Sequence, residues 1–226
     1  MNENLLKSSI AEAVGTFILV FIGCGAILVN ESSGGALGHA GVAMTVGLTV
    51  MTVIFAIGHV SGAHINPAVT IALAMIKRVS MSKMLCYCVA QVSGAILAAI
   101  ALKYSVATGD SLGVTAPVGT ISQAFLMEML MTAFLVFMVV SLVTDPRASS
   151  SMAAIAIGGV ITVDAFVGGP ITGASMNPAR SFGPALVSGQ LEHLWLYIVA
   201  PIMGGIIGAG LYWMIGARTL TNPRPS

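Results

Sequence analysis

The sequence predicts an all-α membrane protein: six transmembrane helices plus two re-entrant half-helices, arranged as an inverted repeat. Three observations carry that prediction. First, 57% of the 226 residues are hydrophobic and only 8% are Lys, Arg, Asp or Glu. Soluble domains carry roughly 25% charged residues, and a mean hydropathy of +0.97 does not suit a surface that meets water all round. Second, six apolar stretches are long enough to cross a bilayer. Third, the two halves of the chain carry the same motifs in matching places. Six spans of about 22 residues consume some 130 positions, which leaves no room for a soluble domain beside a single domain over 1–226. The composition excludes a soluble enzyme, a disordered tail and a nucleic-acid binder, because nine Lys and Arg against eight Asp and Glu make no basic face.

The apolar stretches run over residues 10–29, 40–57, 84–102, 124–143, 152–167 and 194–215. The first reads as a retained helix: no small-residue cleavage site precedes the polar turn that begins at Asn30. Polar or Gly-rich turns occupy 30–38, 108–119 and 144–151. Two further segments, 64–75 and 176–187, are apolar but span only about 16–18 Å, close to half the hydrocarbon thickness. Cys24, Cys86 and Cys88 all fall inside apolar stretches and make neither a disulfide framework nor a metal-ligand set. No cofactor is expected.

Cation placement orients the chain. With both termini cytoplasmic, Lys7, Lys77, Arg78, Lys83, Arg147, Arg218 and Arg224 lie inside, and only Lys103 and Arg180 lie elsewhere. The halves then repeat: Glu12 and Thr16 ahead of Leu19-Val20-Phe21 match Glu128 and Thr132 ahead of Leu135-Val136-Phe137. Asn66-Pro67-Ala68 matches Asn177-Pro178-Ala179. Each half holds three spans and one short segment. Three is odd, so the second copy enters the membrane from the opposite face. The repeats are predicted at 1–107 and 120–220, with the functional site near the midplane.

Asn is a good N-cap, and Pro suits the first helical position, so each Asn-Pro-Ala opens a half-length helix. Bringing two helix N-termini together from opposite faces makes the midplane positive and offers Asn N–H donors to passing solutes. Such a constriction repels cations and breaks a proton-relaying chain of waters. Neutral hydrogen-bonding solutes pass, which is the behaviour of a channel.

On these residues, and on the run from Gly58 to Thr70 and from Gly173 to Ser181, the chain resembles the aquaporin (major intrinsic protein) family over nearly its whole length. The resemblance implies six tilted helices and two re-entrant half-helices around one pore, with four protomers in a homotetramer. It implies a pore constriction at Asn66, Pro67, Ala68, Asn177, Pro178 and Ala179. It assigns Glu12 and Glu128 to bracing the loops that lead to the half-helices, and His64 to the wall of the inner vestibule. His59 either lines the pore or is packed, while His39 and His193 fall near span ends.

By the same resemblance Arg180 is the fixed cation of the outer selectivity filter, and gapless counting from the two Asn residues puts the other filter positions at Val46, Ala165 and Ala174. Strict water channels carry a bulky aromatic and a His at the first two positions, and glycerol channels carry two aromatics; this chain has neither. Ser181 and Ala185 are similar to water channels, whereas Tyr197-Ile198 departs from them. The mixture, with the stretch from Gly169 to Ser181, most resembles the nodulin-type, aquaglyceroporin-like branch and its prokaryotic relatives. That implies passive permeation of water and small uncharged solutes: glycerol, and urea or metalloid hydroxides such as arsenous, boric or silicic acid, without protons or ions. The expected setting is the plasma membrane, with lipid and like protomers as partners and no nucleic acid. Alternatives are a strict water channel, a coupled secondary transporter, since broken helices in inverted repeats occur there too, and a junction-forming protein of the same fold. Asp164 has two open readings: facing the outer vestibule and pairing with Arg180, or facing a loop or the interface.

Overall fold

A computed structural model of the chain describes residues 3–106 and 111–216. Arg218, Arg224 and part of the 108–119 turn lie outside the described residues. All regular structure among the described residues is α-helical: α1 (Glu3–Ser32), α2 (Gly38–Ser61), α3 (Pro67–Met75), α4 (Met81–Ser105), α5 (Ile121–Thr144), α6 (Ser150–Thr172), α7 (Pro178–Ser188) and α8 (Leu194–Gly216). The helices α3 and α7 have 9 and 11 residues, and the other six are long and apolar enough to cross a membrane.

The long helices outrun their apolar stripes, because a helix continues until its backbone is stopped. For α2 and α6 the stops are Gly62 and Gly173, with φ of 93° and 81°. The short helices begin later than the apolar segments do, at Pro67 and Pro178, since the residues before them are not helical.

Where lipid surrounds a bundle, helices associate through close packing rather than by expelling water, so small residues mark the contacts. Gly94 of α4 lies flush on α1, and a Cβ there would collide with the carbonyl of Ala13. In the second half, Gly204 and Gly208 of α8 meet the carbonyls of Met129 and Ala133 on α5 in the same way. Gly47 of α2 and Gly158 of α6 face each other at similar closeness. One apolar cluster, including Val50, Val136 and Ala154, fills the space between α1, α2, α5 and α6; another joins α1, α4 and α7 through Val20, Leu102 and Ala179. Val89, Ile155 and Val163 point outward, each more than half exposed, as a bilayer-covered face requires. The three cysteines are free.

Candidate functional site

The site begins where α3 and α7 start. Asn66 and Asn177 take extended backbone (φ −156° and −144°), and their Oδ1 atoms accept from the N–H of Ala68 at 2.9 Å and of Ala179 at 3.0 Å. Pro67 and Pro178 fill the first helical position, where no N–H is needed. The two starts meet head to head. Asn66 Nδ2 donates to the Met176 carbonyl at 2.8 Å, and Asn177 Nδ2 donates to the Ile65 carbonyl at 2.8 Å. Each amide keeps a second N–H, and both side chains line one cavity.

The loops leading into the short helices are strained in the same pattern. Ala63 and Ile65 sit at φ 47° and 43°, Ala174 and Met176 at 43° and 53°. This left-handed conformation costs about 1–2 kcal/mol for a residue with a Cβ. Two fully buried glutamates hold it. Glu12 accepts from Ser61 Oγ (2.6 Å), the His64 N–H (2.9 Å), the Ile65 N–H (2.6 Å) and Gln91 Nε2 (2.8 Å). Glu128 accepts from Thr172 Oγ1 (2.7 Å), the Ser175 N–H (2.8 Å) and the Met176 N–H (2.7 Å). Tyr87 and Tyr197 close the two helix ends, donating to the carbonyls of Ser61 and Thr172, both at 2.7 Å. His64 stands edge-on to Tyr87, with Nδ1 3.2 Å from Thr70 Oγ1.

Two cavities flank the sequence-assigned filter residues. One, of about 330 Å³, is lined by Asn66, Asn177, His64, Val139 and Ile161 among others. The second, of about 290 Å³, is lined by Ala165, His39, Glu31 and Val114 among others. Val46, Ala174 and Arg180 line both, and so stand where the two spaces adjoin; Ala165 belongs to the second alone. Arg180 is 9% exposed, and its Nη1 donates to the Gly113 carbonyl at 2.7 Å. A chain of hydroxyls, Thr115 to Ser181 (2.7 Å) to Ser175 (2.6 Å), ties the α4–α5 connection to the start of α7. The arrangement can bond polar solutes at the Arg180 guanidinium and two amides, against the apolar side chains of Val46, Ala165 and Ala174. No group of three or more His, Cys, Asp or Glu suited to a metal occurs among the described residues.

The family described as Major intrinsic protein matches residues 1–212. The chain belongs to this family. It is similar to nodulin-26 of Glycine max, at 44% identity over 208 residues that cover 92% of this chain and 77% of the relative. It is also similar to aquaporin NIP1-2 of Oryza sativa subsp. japonica, at 42% over 219 residues covering 94% and 72%. The X-ray structure of the aquaglyceroporin from Plasmodium falciparum superposes with a TM-score of 0.85, covering 96% of this chain and 99% of that one; at 23% identity it speaks for the fold alone. As a major intrinsic protein the chain is a multi-pass membrane channel of the water and small-solute kind, and not an enzyme.

In this major intrinsic protein the two Asn-Pro-Ala starts come together, as do Val46, Ala174 and Arg180, with Ala165 beside them. Asp164 meets neither of its expectations. It forms no ion pair with Arg180 among the described residues, and it is only 7% exposed, with Oδ2 unpartnered. The turn of α6 that puts Ala165 on a cavity wall turns Asp164 into the helix packing. His59 is exposed and lines neither cavity. His39, expected merely near a span end, donates across to α6 at the Phe166 carbonyl (2.8 Å). The sequence reading missed Gly113, Val114, Gln91 and Tyr87, and used Tyr197 only as a mark of the branch. The two tyrosines had a usable signal, because they recur at equivalent places in the two halves. Gly113 had none, since any residue offers a carbonyl.

Proposed function

We propose that the chain is a passive channel for water and small uncharged solutes: glycerol, and urea or metalloid hydroxides such as arsenous, boric or silicic acid by the same chemistry. The observation that carries this reading is the meeting of the two cavities at Val46, Ala174 and Arg180, with Ala165 alongside. Three small apolar side chains leave width for a polyol, and the guanidinium keeps donors free beyond its bond to Gly113. A strict water filter would need bulk where Val46 and Ala165 stand. The likeness to nodulin-26 and to the NIP aquaporins supports the same branch.

Asn66, Pro67, Ala68, Asn177, Pro178 and Ala179 form the inner constriction in this reading. The N-termini of α3 and α7 each contribute about half a positive charge there. Cations are repelled, and a water bonded to the free Asn N–H groups turns its oxygen toward them, which interrupts proton relay. Glu12 and Glu128 brace the loops, and His64 gives the inner cavity a polar wall. The chain reads as one domain of two inverted repeats, 1–107 and 120–220, with both termini cytoplasmic in the plasma membrane. The exposed apolar flanks suit lipid and three further copies in a tetramer.

Stopped-flow light scattering on proteoliposomes tests the reading. Water and glycerol equilibration are expected to be faster than in empty vesicles, without dissipation of a proton gradient. Vesicles that behave as empty ones toward both solutes would defeat it.

A further inference from the structure

Pro170 lies inside α6 and carries no N–H, so the helix cannot satisfy the carbonyl of Phe166 four residues earlier. That carbonyl must take its bond from elsewhere, from water or from a neighbouring side chain. In this protein the missing donor arrives from another helix: His39, in the first turn of α2, places Nε2 2.8 Å from the Phe166 oxygen. A carbonyl only accepts, so Nε2 carries the proton, which both the neutral Nε2–H tautomer and the imidazolium supply. The seat is shaped for the ring. A Cβ at Gly169 would collide with His39 Cε1, and the Phe166 ring stands at 88° to the imidazole with centroids 6.0 Å apart.

The joint sits at the selectivity filter. Phe166 follows Ala165 directly, and His39, Gly169 and Ala165 line the same cavity. The two helices it ties carry two of the proposed filter walls, Val46 on α2 and Ala165 on α6. We infer that His39 is a positioning residue for solute specificity: by donating to the carbonyl that Pro170 leaves free, it fixes the spacing of α2 and α6, and thereby the width between Val46 and Ala165. This rests on the proposed filter. Without the imidazole, the walls close into the vacated space and the freed carbonyl turns toward vestibule water. Both narrow the passage more for glycerol than for water.

The test is the ratio of glycerol to water permeability in proteoliposomes. His39→Ala is expected to lower it about fivefold, equivalent to ~1 kcal/mol of differential barrier, the net value of one hydrogen bond. His39→Gln, whose amide can donate, should restore most of the ratio. Pro170→Ala in the His39→Ala background should restore part of it, because residue 170 then brings its own N–H. A wild-type ratio in His39→Ala overturns the inference. So does a lowered ratio that neither His39→Gln nor Pro170→Ala improves, which would assign the effect to ring volume. The ¹³C shift of the Phe166 carbonyl, read by solid-state NMR in the same vesicles, should move in His39→Ala and return in the double variant. It reports the bond even if the wild type conducts nothing, the outcome that would instead refute the channel reading and the specificity role with it.

Discussion

The two buried glutamates have the same loop-holding geometry but different surroundings, and this makes their isosteric amides unequal. Every partner of Glu128 is a donor: Thr172 Oγ1 and the Ser175 N–H on Oε1, and the Met176 N–H alone on Oε2. In Glu128→Gln the new NH₂ group must replace one of those oxygens. Placed at Oε2 it faces the Met176 N–H, so a buried backbone donor and an amide N–H are both left without acceptors. A buried orphan donor costs about 1–3 kcal/mol. The left-handed backbone of Ala174 and Met176 stores a further ~1–2 kcal/mol each, which favours release of the loop once its acceptor goes. Glu12→Gln is softer. Its NH₂ at Oε2 would orphan the Ile65 N–H in the same way, but Oε2 also meets Gln91, whose own Oε1 is unpartnered, so a flip of the Gln91 amide gives the new NH₂ an acceptor that Glu128→Gln lacks. The expected order is therefore wild type, then Glu12→Gln, then Glu128→Gln, the last two separated by about 1 kcal/mol, or roughly fivefold. Water permeability per reconstituted protein, together with the melting temperature in detergent, reads both. Glu128→Gln that matches wild type in both measurements would refute the bracing argument, and Glu12→Gln faring worse than Glu128→Gln would refute the role given to Gln91.

Arg180→Ala removes the cation that stands between the two cavities and frees the Gly113 carbonyl. Glycerol permeability and proton leak are expected to rise severalfold; unchanged permeability to every solute tested would take Arg180 out of the filter. Ala165→His combined with Val46→Phe should retain water flux and lose glycerol flux, and equal loss of both would show the filter to be misplaced. Between α5 and α6, Arg147 holds the Asp145 carboxyl down to about 2, chiefly through hydrogen bonds from its side chain and N–H. A depressed carboxylate contributes stability above its ordinary value near 3.8, and loses that contribution as pH falls toward 2. Asp145→Asn should therefore leave the pH dependence of flux between about 5 and 8 unchanged, and a new pH step in that window would contradict the assignment.

Much of the architecture could be read locally. Hydropathy runs located all six long helices. Asn before Pro located the starts of α3 and α7, because capping is decided within three residues. Glu12 and Glu128 stood out as carboxylates in apolar helices, and their repetition linked them to one task. The cavity-facing trio Val46, Ala174 and Arg180 was reachable only through the family resemblance. Asp164 shows where that route stops: nothing in a linear sequence distinguishes a residue facing the vestibule from its neighbour turned about 100° away on the same helix.

The sequence by itself determined the membrane setting, the eight helices, the paired helix starts and the family. These follow from interactions among residues a few positions apart, or from sheer composition. The tertiary structure alone decided which donors meet which acceptors. Asn66 finds the Met176 carbonyl 110 residues away, Asn177 finds that of Ile65 at 112, and His39 finds that of Phe166 at 127. Those pairings depend on how far each helix slides and rotates against its neighbours. That is set by glycine contacts such as Gly94 on Ala13 and Gly204 on Met129, where a fraction of an ångström separates close packing from collision.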